Sequence, residues 1–454
     1  MKDTKRKVEF FSFYDHTGIE AHLERMAQRG WVLEKAGNFI WRYRRIEPKQ
    51  LTFSVCYFSK ASLFDPEPTE EQETFYDLCA HAGWTLAASS AQMQVFYNER
   101  PDPVPIDTDP VLEVEAIHRS AKKNFLLSKG LLAVVAAMNF GVFLQQLFDT
   151  PVSILSNPLA MDALVCWPML LLLIGTDFAA YFRWRRRALK AAAQGEFLAT
   201  KGHPVLQKTV LAVVLAGLVW CLSCLRGGML AGVAAALACT FGIVFLLERT
   251  RELLKRKKVS RDTNLVATYG VYVTLSFLVL VFVFSFVIGS DQNGWREGDV
   301  TSEELPLALT ELLGLPGDTP DWHRDADSTR SPLVGWLETR QYIGEYGSPD
   351  NCWLTYRLVT VRAPFLYDTC KNDMLTRHDT RGNERIPEGE KRWYEPADPA
   401  PWGALEAYEE YFQNPAVTGS TYLLCYPGRI VEIDFDWEPT PEQIALAAEK
   451  LGGQ

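Results

Sequence analysis

The sequence predicts a membrane protein with a folded α+β domain on each side of a helical membrane region. Apolar residues are concentrated between about positions 125 and 289, while both ends of the chain are polar. A strand-helix-strand-strand pattern occurs twice in the N-terminal part, and apolar and polar residues alternate in the C-terminal part as they do in strands. The predicted parts are a cytoplasmic α+β domain (1–100), a linker with a juxtamembrane helix (101–124), five transmembrane helices (125–289) and an acidic extracytoplasmic α+β domain (290–454).

The N-terminal domain is predicted to be a duplication. Aligning the first Gly-Trp pair with the second also aligns a leucine two residues after each tryptophan. Each glycine fits the left-handed position that ends a helix, where a residue without Cβ is favoured. Each tryptophan, with its leucine, is expected to turn one face of the next strand against the helix. The repeated positions are Gly30, Trp31 and Leu33 in the first unit, and Gly83, Trp84 and Leu86 in the second.

Each unit also has an apolar strand, residues 7–14 or 51–58, followed by an apolar stripe at helical spacing. Two β-α-β-β units are therefore expected to build one ferredoxin-like sandwich with its helices on one face. The stripes are Ile19, Leu23, Met26 and Ala27 in the first unit, and Phe75, Leu78, Cys79 and Ala82 in the second.

The stretch FYDHTGIEAHLERMAQRGWVL, residues 13–33, resembles the bacterial family called domain of unknown function 2812. The resemblance covers roughly residues 7 to 100, and its Ala-x-x-Gly-Trp-x-Leu motif recurs in the second unit. It implies several accompanying transmembrane helices, a gene beside PadR-type transcriptional regulators, and a regulatory or envelope-response role. It supplies no catalytic residues.

Five apolar runs are long enough to cross about 30 Å of hydrocarbon, which takes about 20 helical residues. Lys and Arg crowd the connections after the second and fourth runs, whereas residues 149–162 contain neither. By the positive-inside rule, the basic connections face the cytoplasm. The N-terminus, which has no secretory signal, is then inside, and an odd number of crossings places the tail outside. The runs are approximately Phe125–Phe148, Met161–Phe182, Thr209–Leu225, Gly228–Leu247 and Leu265–Gly289.

Polar residues inside the runs are where a transport path would lie, because a charge in the bilayer is costly and usually functional. Asp177 and Asn139 are the two candidates. We interpret Asp177 as part of an interfacial ion pair with Arg183 or Arg185, and a substrate or proton site is the alternative. The runs lack a matching pair of Gly- or Pro-broken helices, which argues against an inverted-repeat transporter.

Neither the basic residues nor the histidines of the N-terminal domain are predicted to form a specific ligand site. The first unit contains a basic set that fits a solvated face beside anionic lipid headgroups; nucleic-acid binding is not expected, because the domain is not strongly basic as a whole. The histidines show no metal-ligand spacing with a carboxylate. The basic set is Arg25, Arg29, Arg42, Arg44 and Arg45, and the histidines are His16, His22, His81 and His118.

The tail is acidic, with a net charge of −16 against +6 for residues 1–289. A Pro-Gly turn at 427–428 predicts a hairpin, and Thr440 is expected to cap a final helix. We interpret His323 and His378 as residues of exposed loops, because no nucleophile elbow, HExxH or phosphate-binding pattern accompanies them. The acidic residues Glu432, Asp434 and Asp436 are interpreted as an exposed strand edge kept soluble by charge, with a divalent-cation site as the alternative.

Cysteine usage indicates no cofactor. Cys221 and Cys224 have redox-motif spacing but lie in an apolar run, where they are expected to pack as small residues. Cys352, Cys370 and Cys425 allow at most one disulfide in the tail, with the pairing left open.

The sequence thus favours a plasma-membrane sensor, scaffold or regulatory protein without turnover, metal or cofactor. Its expected partners are the lipid bilayer and a protein bound through the cytoplasmic domain, and its oligomeric state is left open. A transporter or transporter accessory subunit is the alternative, and a membrane hydrolase using the outer domain ranks last.

Overall fold

The computed structural model describes residues 3–9, 11–37, 40–200, 204–224, 227–292, 305–344, 351–414 and 420–453. The chain forms two compact units, and helices of the apolar region contribute to both. One unit is Met1–Asn139 with Cys166–Val219 and Arg226–Phe284, and the other is Phe140–Val165 with Trp220–Leu225 and Ser285–Gln454.

The N-terminal domain has the predicted duplicated order of strand, helix, strand and strand. The first unit contains β1 (Thr4–Val8), α1 (His16–Gln28), β2 (Trp31–Lys35) and β3 (Ile40–Arg45). The second contains β4 (Thr52–Tyr57), α2 (Glu70–His81), β5 (Thr85–Ser90) and β6 (Met93–Asn98).

The predicted single ferredoxin-like sheet is wrong. The strands form two antiparallel three-stranded sheets, ordered β1-β3-β2 and β4-β6-β5. At the outer edge of β4, the Val55 N–H donates to Oε1 of Glu20 in α1, with a distance of 2.8 Å. The outer edge of β4 is thus covered by α1, whereas the two sheets adjoin at β2 and β5, which contact each other without pairing as strands.

The two glycine caps are confirmed, since Gly30 and Gly83 have φ values of 80° and 88°. The first apolar stripe is also buried as predicted, together with Leu33. The second stripe is only partly correct, because Leu78 is 69% exposed, and the repeated leucine of this unit, Leu86, is 37% exposed. In this unit the core forms around buried Trp84 instead, which packs with Cys56, Cys79 and Phe96.

The apolar strand predicted over 7–14 is also largely wrong, because β1 ends at Val8. Tyr14 lies outside the sheet and packs against Phe125, Tyr181 and Trp184, which belong to helices of the central region. The apolar character of this stretch therefore indicates burial, but the burial of Tyr14 is against helices and not within a strand.

The central region is helical throughout its described part. Helix α3 begins after Asp109, whose Oδ1 accepts the Val111 N–H at 2.8 Å, and continues through a π-helical turn at Lys122–Leu126 into α4. The helices are α3 (Pro110–Ala121), α4 (Leu127–Asp149), α5 (Pro151–Ser156), α6 (Pro158–Ala192), α7 (Pro204–Cys224), α8 (Gly227–Arg256) and α9 (Arg261–Gln292).

The prediction of five crossings is wrong. Among the described residues, two helices, α4 and α6, are long and apolar enough to cross a membrane, and the apolar helix Val205–Trp220 is shorter. The last three predicted runs also extend into residues or side chains outside the described set, at 221–234 and 279–289, where Cys221 and Cys224 also lie.

The C-terminal domain is built on a seven-stranded antiparallel sheet ordered β10-β11-β12-β13-β9-β8-β7. The predicted hairpin is confirmed as β12 and β13, and Thr440 caps α12 through the Gln443 N–H. The elements are α10 (Leu309–Leu312), β7 (Trp322–Arg330), β8 (Val334–Ile343), β9 (Cys352–Val361), α11 (Tyr367–Arg377), β10 (Arg392–Ala397), β11 (Glu406–Phe412), β12 (Ser420–Tyr426), β13 (Arg429–Phe435) and α12 (Pro441–Gly452).

Both faces of this sheet are covered. Val431, Ile433 and Phe435 of β13 share one core with residues of α10 and α12. Ile430 of the same strand faces the other core, which contains residues of α11 and, from α5, Val152 and Leu155. The short segment between α4 and α6 is thus part of the C-terminal domain's core.

Candidate functional site

A buried ion pair lies where the N-terminal domain meets α4 and α6. Ser12 Oγ donates to Oδ1 of Asp177 at 2.7 Å, and Lys129 Nζ bonds to the other carboxylate oxygen. Ser12 and Asp177 are 2% and 3% exposed. A buried carboxylate is costly unless it is paired and hydrogen-bonded, and both partners are present here. Asp177 therefore joins a domain loop to two helices.

The ring of Tyr14 fills the space beside this ion pair. Its centroid lies 5.9 Å from Phe125, 5.2 Å from Tyr181 and 5.8 Å from Trp184. Burial, followed by the negative charges of Asp177 and Asp15, raises the pKa of Tyr14 well above its ordinary value. Among the described residues, its buried hydroxyl has no hydrogen-bond partner.

A second set of hydrogen bonds ties the start of α1 to the segment after α6. Thr200 donates its N–H to Thr17 Oγ1 at 2.9 Å and its hydroxyl to Asp15 Oδ1 at 2.9 Å. Asp15 precedes α1 but makes no side-chain capping bond, so its carboxylate is used for this contact. A Cβ at Gly18 would lie 2.4 Å from Asp15 Oδ2, which explains why a glycine fits there.

Two buried ionisable groups connect α1 to its neighbours. His16 Nε2 lies 2.9 Å from Glu113 Oε1 in α3; burial opposes the charged imidazole, but the Glu113 hydrogen bond and charge raise the pKa of His16 overall. Burial raises the pKa of Glu20 to about 7, despite the lowering effects of His16 and the Val55 N–H. The protonation states of His16 and Glu20 therefore affect the contacts that hold α1 against α3 and β4.

The structure changes the prediction for Asp177 and separates it from Asn139. The predicted partner Arg183 instead donates its Nε to Ala179 O at 3.1 Å. Asn139 Nδ2 donates to Val135 O one turn back, at 2.8 Å. It lies ten residues beyond Lys129 on α4, about 15 Å along the helix axis. The two predicted polar residues therefore do not form one polar path.

The other N-terminal histidines lie apart from this pair. His22 lies beside Glu9 at 3.0 Å, and its pKa is lowered, chiefly by burial. His118 Nδ1 is 2.7 Å from the Tyr181 hydroxyl, and His81 Nδ1 is 2.7 Å from Asp77 O. No group of three or more His, Cys, Asp or Glu side chains is placed to hold a metal ion in the described ranges.

A buried charge cluster lies on the α11 face of the C-terminal sheet, and it corrects the interpretation of Glu432 as an edge residue. Strand β13 is the central strand, and Glu432 is 4% exposed. Directly opposite it, Arg357 bonds to Glu432 at 2.5 Å and to Glu338 at 3.0 Å. Charge alternation on β13 therefore predicted a shared face correctly, but a cation on the neighbouring strand neutralises that face.

His378 belongs to the same cluster, so its assignment to a solvated loop is also wrong. It follows α11, with Nδ1 3.0 Å from Glu410 and Nε2 3.5 Å from Glu432. Burial, with the charges of Glu410 and Glu432, raises the pKa of Asp434 to about 6, although Thr421 donates to it. Asp436 lies beyond the strand and is exposed.

The remaining tail residues are placed individually. His323 lies on β7 with its ring stacked on Tyr342 at 4.7 Å. Cys352, Cys370 and Cys425 are free thiols.

Ser12, Thr200 and Lys129 are the site residues that sequence reasoning did not assign. A charge within an apolar run pointed to Asp177, but no local pattern connects residues 12–17 with it. Only Gly18, after an Asx residue at a helix start, offered a weak signal.

Residues 15–128 match the family described as "Protein of unknown function (DUF2812)", and this part of the chain belongs to it. The match begins at Asp15 and extends beyond the two β-α-β-β units through α3 to the start of α4. It therefore includes α1 and Glu113, as well as the duplicated glycine and tryptophan positions. No curated protein and no solved structure matches the chain.

Proposed function

We propose that the chain is a non-catalytic membrane scaffold or sensor in which α4 and α6 cross the bacterial plasma membrane as a helical hairpin. The observation that carries the proposal is the buried contact of Asp177 with Ser12 and Lys129. It fixes the DUF2812 domain to the two candidate spans, so a partner bound to the domain would act directly on the helices. A neighbouring gene for a PadR-type regulator, which the resemblance implies, agrees with such a regulatory role.

The surfaces of the two helices support membrane insertion. Large apolar side chains point outward along α4, among them Leu131, Met138 and Phe148, which are 67%, 67% and 77% exposed. Extended apolar surface of this kind is typical of a membrane or protein contact. Exposed cations follow the apolar part of α6: Arg183, Arg186, Arg187 and Lys190.

The proposed orientation follows from these cations. Basic residues at the end of α6 favour the cytoplasmic side, and the N-terminal domain contacts that end. Residues 149–157, between the two spans, carry no Lys or Arg and belong with the C-terminal sheet. We therefore place the DUF2812 domain in the cytoplasm, and residues 149–157 with the acidic C-terminal domain outside.

The orientation can be tested with reporters fused after Asn157, Glu196 and Gln454. Alkaline phosphatase should be active after Asn157 and Gln454, whereas a fluorescent reporter should be active after Glu196. Fluorescence after Gln454 without phosphatase activity would contradict the outside placement.

The coupling role can be tested by hydrogen exchange on the full chain in lipid nanodiscs. Asp177→Asn keeps the side-chain shape but removes the charge that holds Lys129, so amides 12–20 and 198–200 should exchange at least about tenfold faster. Asn139→Leu is the matched control in α4 and should leave them protected. Equal protection in both variants would refute the coupling, and a turnover abolished by His378→Gln would refute the non-catalytic role.

A further inference from the structure

A cavity of about 370 Å³ lies between the second β-α-β-β unit and the basic end of α8. Its walls come from residues 61–68, from the β5–β6 hairpin and from one face of α8. Small-molecule sites are usually concave spaces of roughly 300–1,000 Å³. The cavity is separate from the Asp177 contact, and the proposed scaffold role does not use it.

Two cations on the cavity wall lie close together and form no ion pair within the described part of the chain. Arg251 and Lys255 are four residues apart on α8, about 6 Å between Cβ atoms, so they share one face. Both are half-buried, and neither forms an ion pair with any described residue. Like charges at this spacing repel each other, and an anion between them would relieve the repulsion.

The nearby carboxylates are engaged elsewhere. Glu252 pairs with Lys35 at 2.5 Å, Glu67 with Lys258 at 2.5 Å, and Asp65 with Arg261 at 3.8 Å. The fourth, Glu248, is exposed.

The pKa of Lys255 is affected by the charges around the cavity. Burial, followed by the charge of Arg251, lowers the pKa of Lys255, and Lys35 acts in the same direction. Asp65 and Glu252 act in the opposite direction but do not prevent the lowering. Lys255 is therefore held partly buried beside a second cation, where a bound anion would favour its charged form.

The duplication provides an independent indication of a ligand. Leu33 of the first unit is 1% exposed, whereas its counterpart Leu86 is 37% exposed and lines the cavity together with Leu63. The hydroxyls of Ser62, Ser89 and Ser90 lie on the same walls. The second unit thus presents an apolar surface and hydrogen-bonding groups where the first unit has closed core.

We propose that this cavity binds a small organic phosphate, with the phosphate between Arg251 and Lys255 and the organic part against Leu63 and Leu86. A guanidinium can bind two phosphate oxygens at once, and an ammonium adds a point charge. The serine hydroxyls can donate to the remaining oxygens. The phosphate belongs either to a free metabolite or to a lipid headgroup, and the same chemistry recognises both.

The test is calorimetric titration of the detergent-purified full chain with inorganic phosphate, with adenosine 5′-monophosphate, and with phosphatidylglycerol in mixed micelles. The double variant Arg251→Gln with Lys255→Met should weaken binding at least tenfold. The control, Arg256→Gln with Lys257→Met, removes two exposed cations, the last residue of α8 and the one after it, and should bind like the wild type.

Each outcome decides the proposal. Binding of the nucleotide assigns a free organic phosphate, whereas binding of phosphatidylglycerol alone assigns a lipid headgroup. Failure of all three probes, or equal binding by both double variants, would overturn it.

A second measurement does not depend on folding of the variants. In the wild type, the bound probe should slow acetylation of Lys255 at least several-fold, while acetylation of Lys257 is unchanged. Equal acetylation of Lys255 with and without a saturating probe would place the anion elsewhere and refute the site.

Discussion

Ser12 Oγ donates a 2.7 Å hydrogen bond to Asp177 Oδ1, although 165 residues separate the two in the sequence. The bond lies between a loop before α1 and the middle of α6, and Lys129 of α4 completes the contact. It is therefore a tertiary constraint on the position of the DUF2812 domain, and its strength can be measured.

Removing the two partners of Asp177 should have unequal effects. Ser12→Ala should cost about 1 kcal/mol, because it removes one hydrogen bond from a carboxylate that keeps its cation. Lys129→Met should cost about 3 kcal/mol, because it leaves the buried carboxylate without its counter-charge. Unfolding of the N-terminal domain followed by hydrogen exchange would give both values. A larger effect for Ser12→Ala would contradict the ion-pair assignment.

The charge of Glu20 should make the N-terminal domain less stable as the pH rises. Its folded-state pKa is raised from 4.5 to about 7 by burial, so the favourable contribution is fully present below pH 4.5 and is lost as the pH rises through 7. Glu20→Gln keeps an oxygen for the Val55 N–H and removes the titration. Its stability relative to the wild type should increase by about 2 kcal/mol between pH 5 and pH 8. A difference that is independent of pH would refute the burial of the acid.

The two repeated glycines should respond differently to alanine. Both have positive φ, which costs a residue with a Cβ about 1–2 kcal/mol. At Gly30 the new Cβ would also lie 2.9 Å from the Ile46 carbonyl oxygen, whereas at Gly83 the nearest atom is 3.4 Å away. Gly30→Ala should therefore lower the thermal midpoint more than Gly83→Ala. The reverse order would show that the backbone gives way more easily at Ile46 than its geometry indicates.

Two acids of the C-terminal cluster should have opposite pH dependences. The pKa of Asp434 is raised to about 6, so its contribution is present below 3.8 and is lost as the pH rises through 6. The pKa of Glu410 is lowered, because His378 and Arg392 outweigh its burial, so its contribution is present above 4.5 and is lost as the pH falls through its folded pKa.

Urea unfolding at a series of pH values would test this difference. Asp434→Asn should gain about 1–2 kcal/mol over the wild type above pH 6, after allowance for partial exposure. Glu410→Gln should be destabilised at neutral pH, and the difference should shrink in acid. Parallel curves for the two variants would contradict the cluster.

Local patterns predicted the local structure well. The glycine caps, the stripe ending at Ala27 and the 427–428 turn depend on residues a few positions apart, so periodicity and turn chemistry were sufficient. The second stripe failed at Leu78, because apolar residues at helical spacing do not show which of them the helix leaves exposed to solvent.

Long-range pairing could not be read from the sequence. The hydrogen bond that joins Glu20 of α1 to Val55 of β4 links residues 35 positions apart, and the neutralised cluster depends on Arg357 lying opposite Glu432. Asp177 was found because a charge in an apolar run is unusual, but its nearest cations in sequence proved to be the wrong partners. Apolar composition predicted five crossings, whereas two helices among the described residues are both long and apolar enough.

The contribution of α5 to the C-terminal core has a consequence for biosynthesis. Val152 N–H donates to Asp373, and the Leu155 carbonyl accepts from Ser331, so this domain includes a segment made about 170 residues before its first strand. A ribosome must therefore finish most of the chain before that segment finds its place. Until then the apolar side chains of α5 must be kept from aggregating. A fragment expressed from Leu305 onward would lack Val152 and Leu155, which pack in the same core as Val334 and Val359.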